Sequence, residues 1–525
     1  MSKFRRLGAF ALAIIATAAV ALAPSPSGLS LPGQYALATM VFAGVLWVSS
    51  ALPLPVTGLL VPAMLTFLGV YSNIDAALAG FSDHVIFLFI AGLMLANALQ
   101  KYNIDQRIAL ALMARLGSTP RRLILAVMIA TALLSMAVSN TATAAMMIPI
   151  AVGLLDQIQD DNEEVRKADD EQADADSGVA KPDFTNMQIA MFLGIAYAAS
   201  VGGVGTLIGT PPNAIAVGAL NSTLEYEIGF LDWLLIGFPV VVLTLPLIWY
   251  LLTFKLYPPG ITTTHGARSQ ARTQLVEMGA LDRDGRWVAS IFVLTSGLWI
   301  LGGLGELFEP YLSDVWMTTL FGGTGETIFG VAGHQGLFYY VLVGLFAIAA
   351  LSLSGTMDWD ELVDIDWGTI LLFGGGISLA DGLAETGATE WIANTVFAEF
   401  VGAPIILVIG VVVAIIISIT NITSNTATTS IFVPVLISLG GAFASTLGLA
   451  SENVAVFLSV AGAIAASFAF ALPVSTPPNA IVYGSGYIKQ SHMLRAGAVL
   501  NVIMAVLLTG LIWLFYHYIW SLFLF

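Results

Sequence analysis

Cysteine is absent from the chain. That removes thiolate metal sites, disulfides and thiol catalysis in one step. Histidine is scarce: His84, His265, His334, His492 and His517 are scattered, with no HExxH-type pair. A zinc hydrolase centre therefore has no ligands to stand on. Charge is scarce as well. Only 10% of the 525 residues are charged, 58% are hydrophobic, and mean hydropathy is +0.89. A soluble chain of this size could not cover its surface with so few charges. Positive charge is scarcest: 18 Lys and Arg stand against 34 Asp and Glu, a net charge of −16. No nucleic-acid partner is expected of such a balance.

Long apolar runs are what the chain has instead. Stretches such as 235–254, 338–353, 404–419 and 495–515 come near or reach the ~20 residues that cross ~30 Å of hydrocarbon as a helix. A β-barrel would show alternating segments of ~10 residues. The expected class is an all-α polytopic membrane protein of eleven spans with two re-entrant hairpins. Spans are expected near 7–23, 35–52, 56–72, 83–100, 187–220, 233–253, 287–304, 336–353, 367–383, 454–485 and 496–519. The hairpins are 123–157 and 403–441, each interrupted by SNTAT, at 139–143 and 424–428. The first residues, MSKFRRLGAFALAIIATAAVALAPSPSG, mimic a signal peptide, but Pro24 would hinder cleavage, so a retained first helix is favoured.

Basic residues set the expected orientation, because they are retained on the cytoplasmic side. All 18 fall in 1–6, 101–122, 158–184, 254–286, 354–366 and 486–495. This alternation requires each SNTAT stretch to turn back, the first to the cytoplasm and the second to the outside. The N-terminus is then cytoplasmic and the C-terminus outside, in a multi-pass plasma-membrane protein. The halves read as inverted repeats. SNTATAAMMIP (139–149) parallels SNTATTSIFVP (424–434), and TPPNAI at 210–215 recurs at 476–481. The expected organisation is an N-terminal helix (1–34), a first repeat (35–253) with an acidic linker (158–184) and a broken helix (187–220), a cytoplasmic linker (254–286), and a second repeat (287–525) with a broken helix (454–485). Inverted repeats with interrupted helices mark secondary transporters, whose site lies near the midplane at the breaks.

The residues at the breaks suit that role. Backbone that leaves a helix inside a membrane is tolerated only where it lines a polar cavity or is buried in protein. Pro211, Pro212, Pro477 and Pro478 force such a departure. Ser, Asn and Thr supply neutral oxygens, and freed carbonyls supply more, as a small hard cation requires. The Asn amide and Thr hydroxyl also donate, so one motif can face a cation on one side and an anion on the other. No Lys or Arg lies within 123–165 or 287–488. A bound carboxylate must then take its counter-charge from cations and helix N-termini. A dianion carried with two or more Na⁺ satisfies this; any cation beyond neutrality makes transport voltage-sensitive.

The duplicated SNT and TPPN motifs, the LLFGGGISLADGL run at 371–383 and the eleven-span plan resemble the divalent anion–sodium symporter family of dicarboxylate transporters. The resemblance covers nearly the whole chain. It implies two opposed hairpins, two broken helices, a homodimer and elevator-type alternating access. By matching position it implies a first sodium site at Ser135, Ser139, Asn140 and the Gly209 backbone. A second would use Thr420, Thr423, Asn425 and the backbone near Ser475. It places substrate carboxylates against Asn140, Thr141, Thr210 and Pro211 on one side, and Asn425, Thr426, Thr476 and Pro477 on the other.

Other features have plainer readings. DADSG in the linker lacks the rest of an EF-hand pattern and reads as solvated loop. DWDELVDIDWG at 358–368 reads as an interfacial segment, Asp381 as an outer-boundary residue, His84 as a satisfied interface residue. The expected function is sodium-coupled symport of C4-dicarboxylates such as succinate, malate or fumarate. The alternatives are sodium-independent exchange, or the same fold carrying sulfate or citrate. An enzyme would need a nucleophile, acid or metal set within the membrane, and none is present; no organic cofactor is expected.

Overall fold

The computed structural model describes residues 3–170, 184–260, 265–396, 403–447 and 450–515. Each apolar run forms a helix or a helix pair. Among the described residues eight helices are long and apolar enough to cross a membrane, and Leu54–Phe67, Tyr340–Leu353, Ile405–Thr420 and Ser451–Ala466 are shorter apolar ones. The run expected at 367–383 is the helix Trp367–Glu385. The run at 233–253 is Phe230–Tyr250, continued by a π-helical turn, Leu251–Leu256. The run at 123–157 is two helices, Pro120–Ser135 and Asn140–Asp170. The second of these continues into the expected linker, where Glu163, Glu164, Arg166, Lys167 and Ala168 are strong helix formers. Residues 171–183 of that linker lie outside the described residues, as do 516–525 at the C-terminus. One short antiparallel hairpin, Gly323–Glu326 with Ala332–His334, departs from an all-helical plan.

TPPN proves to be a starter of helices as much as a breaker. One helix ends at Gly203 and the next runs Pro211–Leu224. Further on, one ends at Ala466 and the next runs Pro477–Gly484. Thr210 and Thr476 are extended N-caps (φ −149°, ψ 145° and φ −139°, ψ 149°), and a proline opens each helix. Proline suits that position because its fixed φ is helical and its missing N–H would have no partner there. Thr476 Oγ1 also accepts from Asn479 N at 3.2 Å, the usual N-cap bond.

Packing crosses between the two halves. The helix from Pro211 packs on Asn425–Leu447 and Ser451–Ala466, while the helix from Pro477 packs on Asn140–Asp170 and Phe184–Gly203. The glycine run 374–376 lets a third helix join them. A Cβ on Gly374 would meet the Phe81 ring, one on Gly375 the Gly58 carbonyl, and one on Gly376 would lie 2.8 Å from Ser430 Oγ. Small residues of this kind allow close helix approach in membranes.

Four of the six segments expected on the cytoplasmic side gather at one end. Lys101 Nζ meets Glu361 Oε2 at 2.6 Å and donates to Thr356 O at 2.9 Å. Arg107 donates to Met278 O and Gly279 O, Arg268 to Ala114 O, and Tyr257 Oη to His492 O at 2.9 Å. Thus 101–122, 254–286, 354–366 and 486–495 touch one another. The exposed Glu361 carboxyl is held below its usual range by its hydrogen bond to Lys101. Elsewhere His84 Nε2 bonds Tyr340 Oη at 2.9 Å, and Asn221 Nδ2 donates to Asp83 Oδ2 at 3.3 Å.

Candidate substrate and cation site

A cavity of about 640 Å³ lies where the four breaks meet. All eight residues expected to face a substrate line it: Asn140, Thr141, Thr210, Pro211, Asn425, Thr426, Thr476 and Pro477. The helices starting at Asn140, Pro211, Asn425 and Pro477 therefore all begin at its wall. A helix N-terminus carries roughly half a positive charge and unpaired N–H groups, so four of them favour an anion. Leu54, Pro55, Phe89, Leu93 and Leu372 complete an apolar wall. No Lys, Arg or His is among the lining residues; the sole ionisable one is Asp366, exposed at the rim and accepting from Thr369 Oγ1 at 2.6 Å.

Behind the first SNT tip, oxygens crowd together. The Asn140 amide oxygen lies 2.5 Å from Ser135 Oγ, 3.0 Å from Ala199 O and 3.2 Å from Gly209 O. Ser135 Oγ, fully buried, donates to Ala199 O at 2.7 Å. One hydroxyl proton cannot serve four oxygens, so the cluster suits a cation, or else a reversed amide that donates its NH₂ to the same three acceptors. On its other side the Asn140 amide nitrogen reaches Thr210 Oγ1, 3.4 Å away, at the cavity wall. Gly203 leaves the space for this, since a Cβ there would run into Asn140 Oδ1.

The second tip repeats the arrangement. Thr420 Oγ1, also fully buried, lies 2.8 Å from both Asn425 Oδ1 and Ala466 O, with one proton to share between them. Thr420, Asn425 and Ala466 thus correspond to Ser135, Asn140 and Ala199. The remaining expected cation residues are placed differently. Ser139 Oγ accepts from Ala142 N at 3.2 Å, capping its helix. The Thr423 hydroxyl pairs with Thr428 Oγ1 at 2.6 Å. Ser475 Oγ donates to Leu472 O at 2.5 Å. The Thr423 and Ser475 hydroxyls are thus engaged with neighbours other than the Thr420–Asn425–Ala466 cluster.

Sequence reasoning missed four contributors. The Ala199 and Ala466 carbonyls carry no side-chain signal; only their position at the end of a helix before a break points to them. Asn213 and Asn479 were visible in the repeated TPPN but had no assigned role. Both are fully buried and fasten the breaks. Asn213 Nδ2 donates to Gly203 O at 3.0 Å and Thr206 O at 2.7 Å; Asn479 Nδ2 donates to Ala469 O at 3.0 Å and Leu472 O at 3.1 Å.

Apolar helices around a cavity built from broken-helix N-termini define a membrane transporter, not an enzyme, and the comparisons agree. The chain belongs to the sodium:sulfate symporter family, whose transmembrane-region model matches residues 5–522; it is the divalent anion–sodium symporter family that the paired motifs resemble. It is similar to the sodium-dependent dicarboxylate transporter SdcS of Staphylococcus saprophyticus, 33% identical over 487 residues, 92% of this chain and 86% of that one. The SdcS of Staphylococcus aureus (strain USA300) is 31% identical over 486 residues, 92% and 86% of the two chains. An uncharacterized transporter of Haemophilus influenzae is 34% identical over 481 residues, 91% of each. Among solved structures, the YdaH transporter of Alcanivorax borkumensis superposes with a TM-score of 0.53 at 14% identity, covering 84% of this chain and 87% of that one. MtrF of Neisseria gonorrhoeae does so at 0.53 and 13%, covering 97% and 94%. At such identity the likeness speaks for the fold alone.

Proposed function

We propose that the chain is a sodium-coupled symporter of C4-dicarboxylates, such as succinate, malate or fumarate, working by alternating access. One observation carries the reading: both SNT tips and both TPPN tips line one cavity that holds no basic side chain. A dianion in it has four helix N-termini and the Asn140, Thr141, Asn425 and Thr426 side chains as partners. Its remaining charge is balanced by co-transported cations in the Ser135–Asn140–Ala199–Gly209 and Thr420–Asn425–Ala466 clusters. Each Asn amide couples the two cargoes. Its oxygen turned to the cation leaves its NH₂ facing the anion. Without the cation the NH₂ is drawn inward to the carbonyls, and the anion loses its donor. The names of the Staphylococcus relatives support sodium and dicarboxylate as the pair.

The matched hydrogen bonds of the two tips support inverted repeats, with Pro120–Ser135 and its partner as one re-entrant hairpin and Ile405–Thr420 and its partner as the other. The contacts among 101–122, 254–286, 354–366 and 486–495 support placing these four segments on one side of the membrane, as the eleven-span plan requires. Leu54, Pro55, Asp366 and Gly368, which line the cavity, fall on the cytoplasmic side in that plan, and this supports reading the state as inward-open. Family membership supports elevator movement and a homodimer as part of this proposal. Radiolabelled succinate uptake into proteoliposomes tests the function. An inward sodium gradient is expected to drive accumulation. Exchange that needs no sodium would instead favour an antiporter, and competition by sulfate or citrate would identify the alternative anions.

A further inference from the structure

The helix Phe230–Tyr250 does not stop at Tyr250 but widens into the π-helical turn Leu251–Leu256. Such turns are rare and cluster at functional positions. This one gathers three aromatic rings. Phe254 stacks on Tyr250 with centroids 5.0 Å apart, and Trp249 meets Phe254 edge-on at 5.5 Å. The Arg121 guanidinium lies over the Phe254 ring at 4.1 Å, and its Nε donates to Thr253 O at 3.4 Å. Trp249 Nε1 in turn donates to Arg121 O at 2.8 Å. Arg122 is the next residue on that helix, and Lys255 follows Phe254 in sequence. All three cations are exposed. Among the described residues none takes part in an ion pair; those present join Lys101 to Glu361 and His84 to Asp83 and Glu227. In a chain of net charge −16 this corner is a local excess of positive charge with no ion pair among the described residues.

Depth decides which anion fits. Leu243, Tyr250 and Phe254 are all exposed, and their spacing puts them on one helix face. The strip from Leu243 to Lys255 runs about 18 Å, a length that suits an acyl chain. A soluble anion has no use for such a strip. We infer that Arg121, Arg122 and Lys255 form a headgroup site for an anionic phospholipid, with its acyl chain along Leu243, Tyr250 and Phe254. The aromatic rings sit at the headgroup level, as interfacial Trp and Tyr do, and the guanidinium–phosphate pair is the strong contact. The site joins the foot of the Pro120–Ser135 helix, which carries Ser135 at its far end, to the neighbouring Phe230–Tyr250 helix. It does not depend on which anion the central cavity carries.

Native mass spectrometry of the full-length protein, titrated with phosphatidylglycerol or phosphatidylcholine of the same acyl chains, tests this. Wild type is expected to retain phosphatidylglycerol preferentially. The R121Q/R122Q/K255Q variant is expected to lose roughly a hundredfold of that preference, from three cations near the surface, and to keep its phosphatidylcholine adducts. Should the triple variant fail to fold, Lys255→Gln alone is expected to lose about fivefold. Equal retention of the two lipids by wild type, or undiminished preference in the variants, would overturn the assignment. So would displacement of the bound lipid by millimolar inorganic phosphate, which would mark a site for free phosphate.

Discussion

Replacing Asn140 by Asp separates the two roles proposed for this side chain. The substitution keeps the oxygen that faces Ser135, Ala199 and Gly209 and exchanges the NH₂ on the cavity side, next to Thr210 Oγ1, for a second oxygen. On the cation side the added negative charge is attractive. On the anion side it would face a bound carboxylate at a contact separation of about 4 Å. Two like charges at that distance repel by about 4 kcal/mol at an effective dielectric constant near 20, close to a thousandfold in affinity. Sodium is therefore expected to raise the melting temperature of Asn140→Asp at least as much as that of wild type. Succinate binding at saturating sodium, measured by titration calorimetry at pH 8, should weaken about a thousandfold. Lowering the pH should restore part of it as the introduced carboxyl takes a proton. Succinate binding within threefold of wild type would refute the two-faced amide, and so would loss of the sodium response with succinate binding intact.

Three further outcomes are expected. Thr420→Ala removes the donor to Asn425 Oδ1 and Ala466 O and should raise the sodium concentration for half-maximal uptake about tenfold to a hundredfold, read from uptake against sodium. Gly375→Ala drives a Cβ into the Gly58 carbonyl and should cost about 1–3 kcal/mol, seen as a lower melting temperature and a smaller folded fraction on size exclusion. Asp105, on the amphipathic helix Ile104–Leu116, is buried, and burial pushes its carboxyl above the ordinary value of 3.8. A raised acid binds its proton more tightly when folded, so its contribution to stability declines as pH rises from 3.8 through the raised value. Asp105→Asn should therefore stabilise the protein at neutral pH, and the gain should fade as pH approaches 3.8; a gain that stays constant with pH would count against burial as the cause.

Hydropathy located the helices well, because a bilayer demands long apolar runs and punishes exceptions. Trp367–Glu385 was readable almost to the residue. The helical continuation to Asp170 was not, since propensity rather than hydropathy builds it. The cavity residues were legible because two duplicated motifs name side chains. The carbonyls of Ala199 and Ala466 were not, since a backbone ligand leaves no mark on residue identity and depends on where a helix ends. Asp366 was legible as a charge but not as a rim residue. Its segment reads as interfacial, and only the approach of the Leu54–Phe67 helix, allowed by Gly58 and Gly375, brings that segment to the cavity. The aromatic corner at Phe254 was hidden for another reason: a π-helical turn shifts which residues share a face, and hydropathy carries no sign of it.

Succinate affinity measured across a range of sodium concentrations asks most directly whether cations stand in for basic side chains. Such a mechanism predicts no detectable binding in choline or potassium, and a logarithm of affinity that rises with the logarithm of sodium at a slope of about two. Tight binding without sodium would mean that the protein alone neutralises the dianion, and the mechanism built on Asn140 and Asn425 would fall with it.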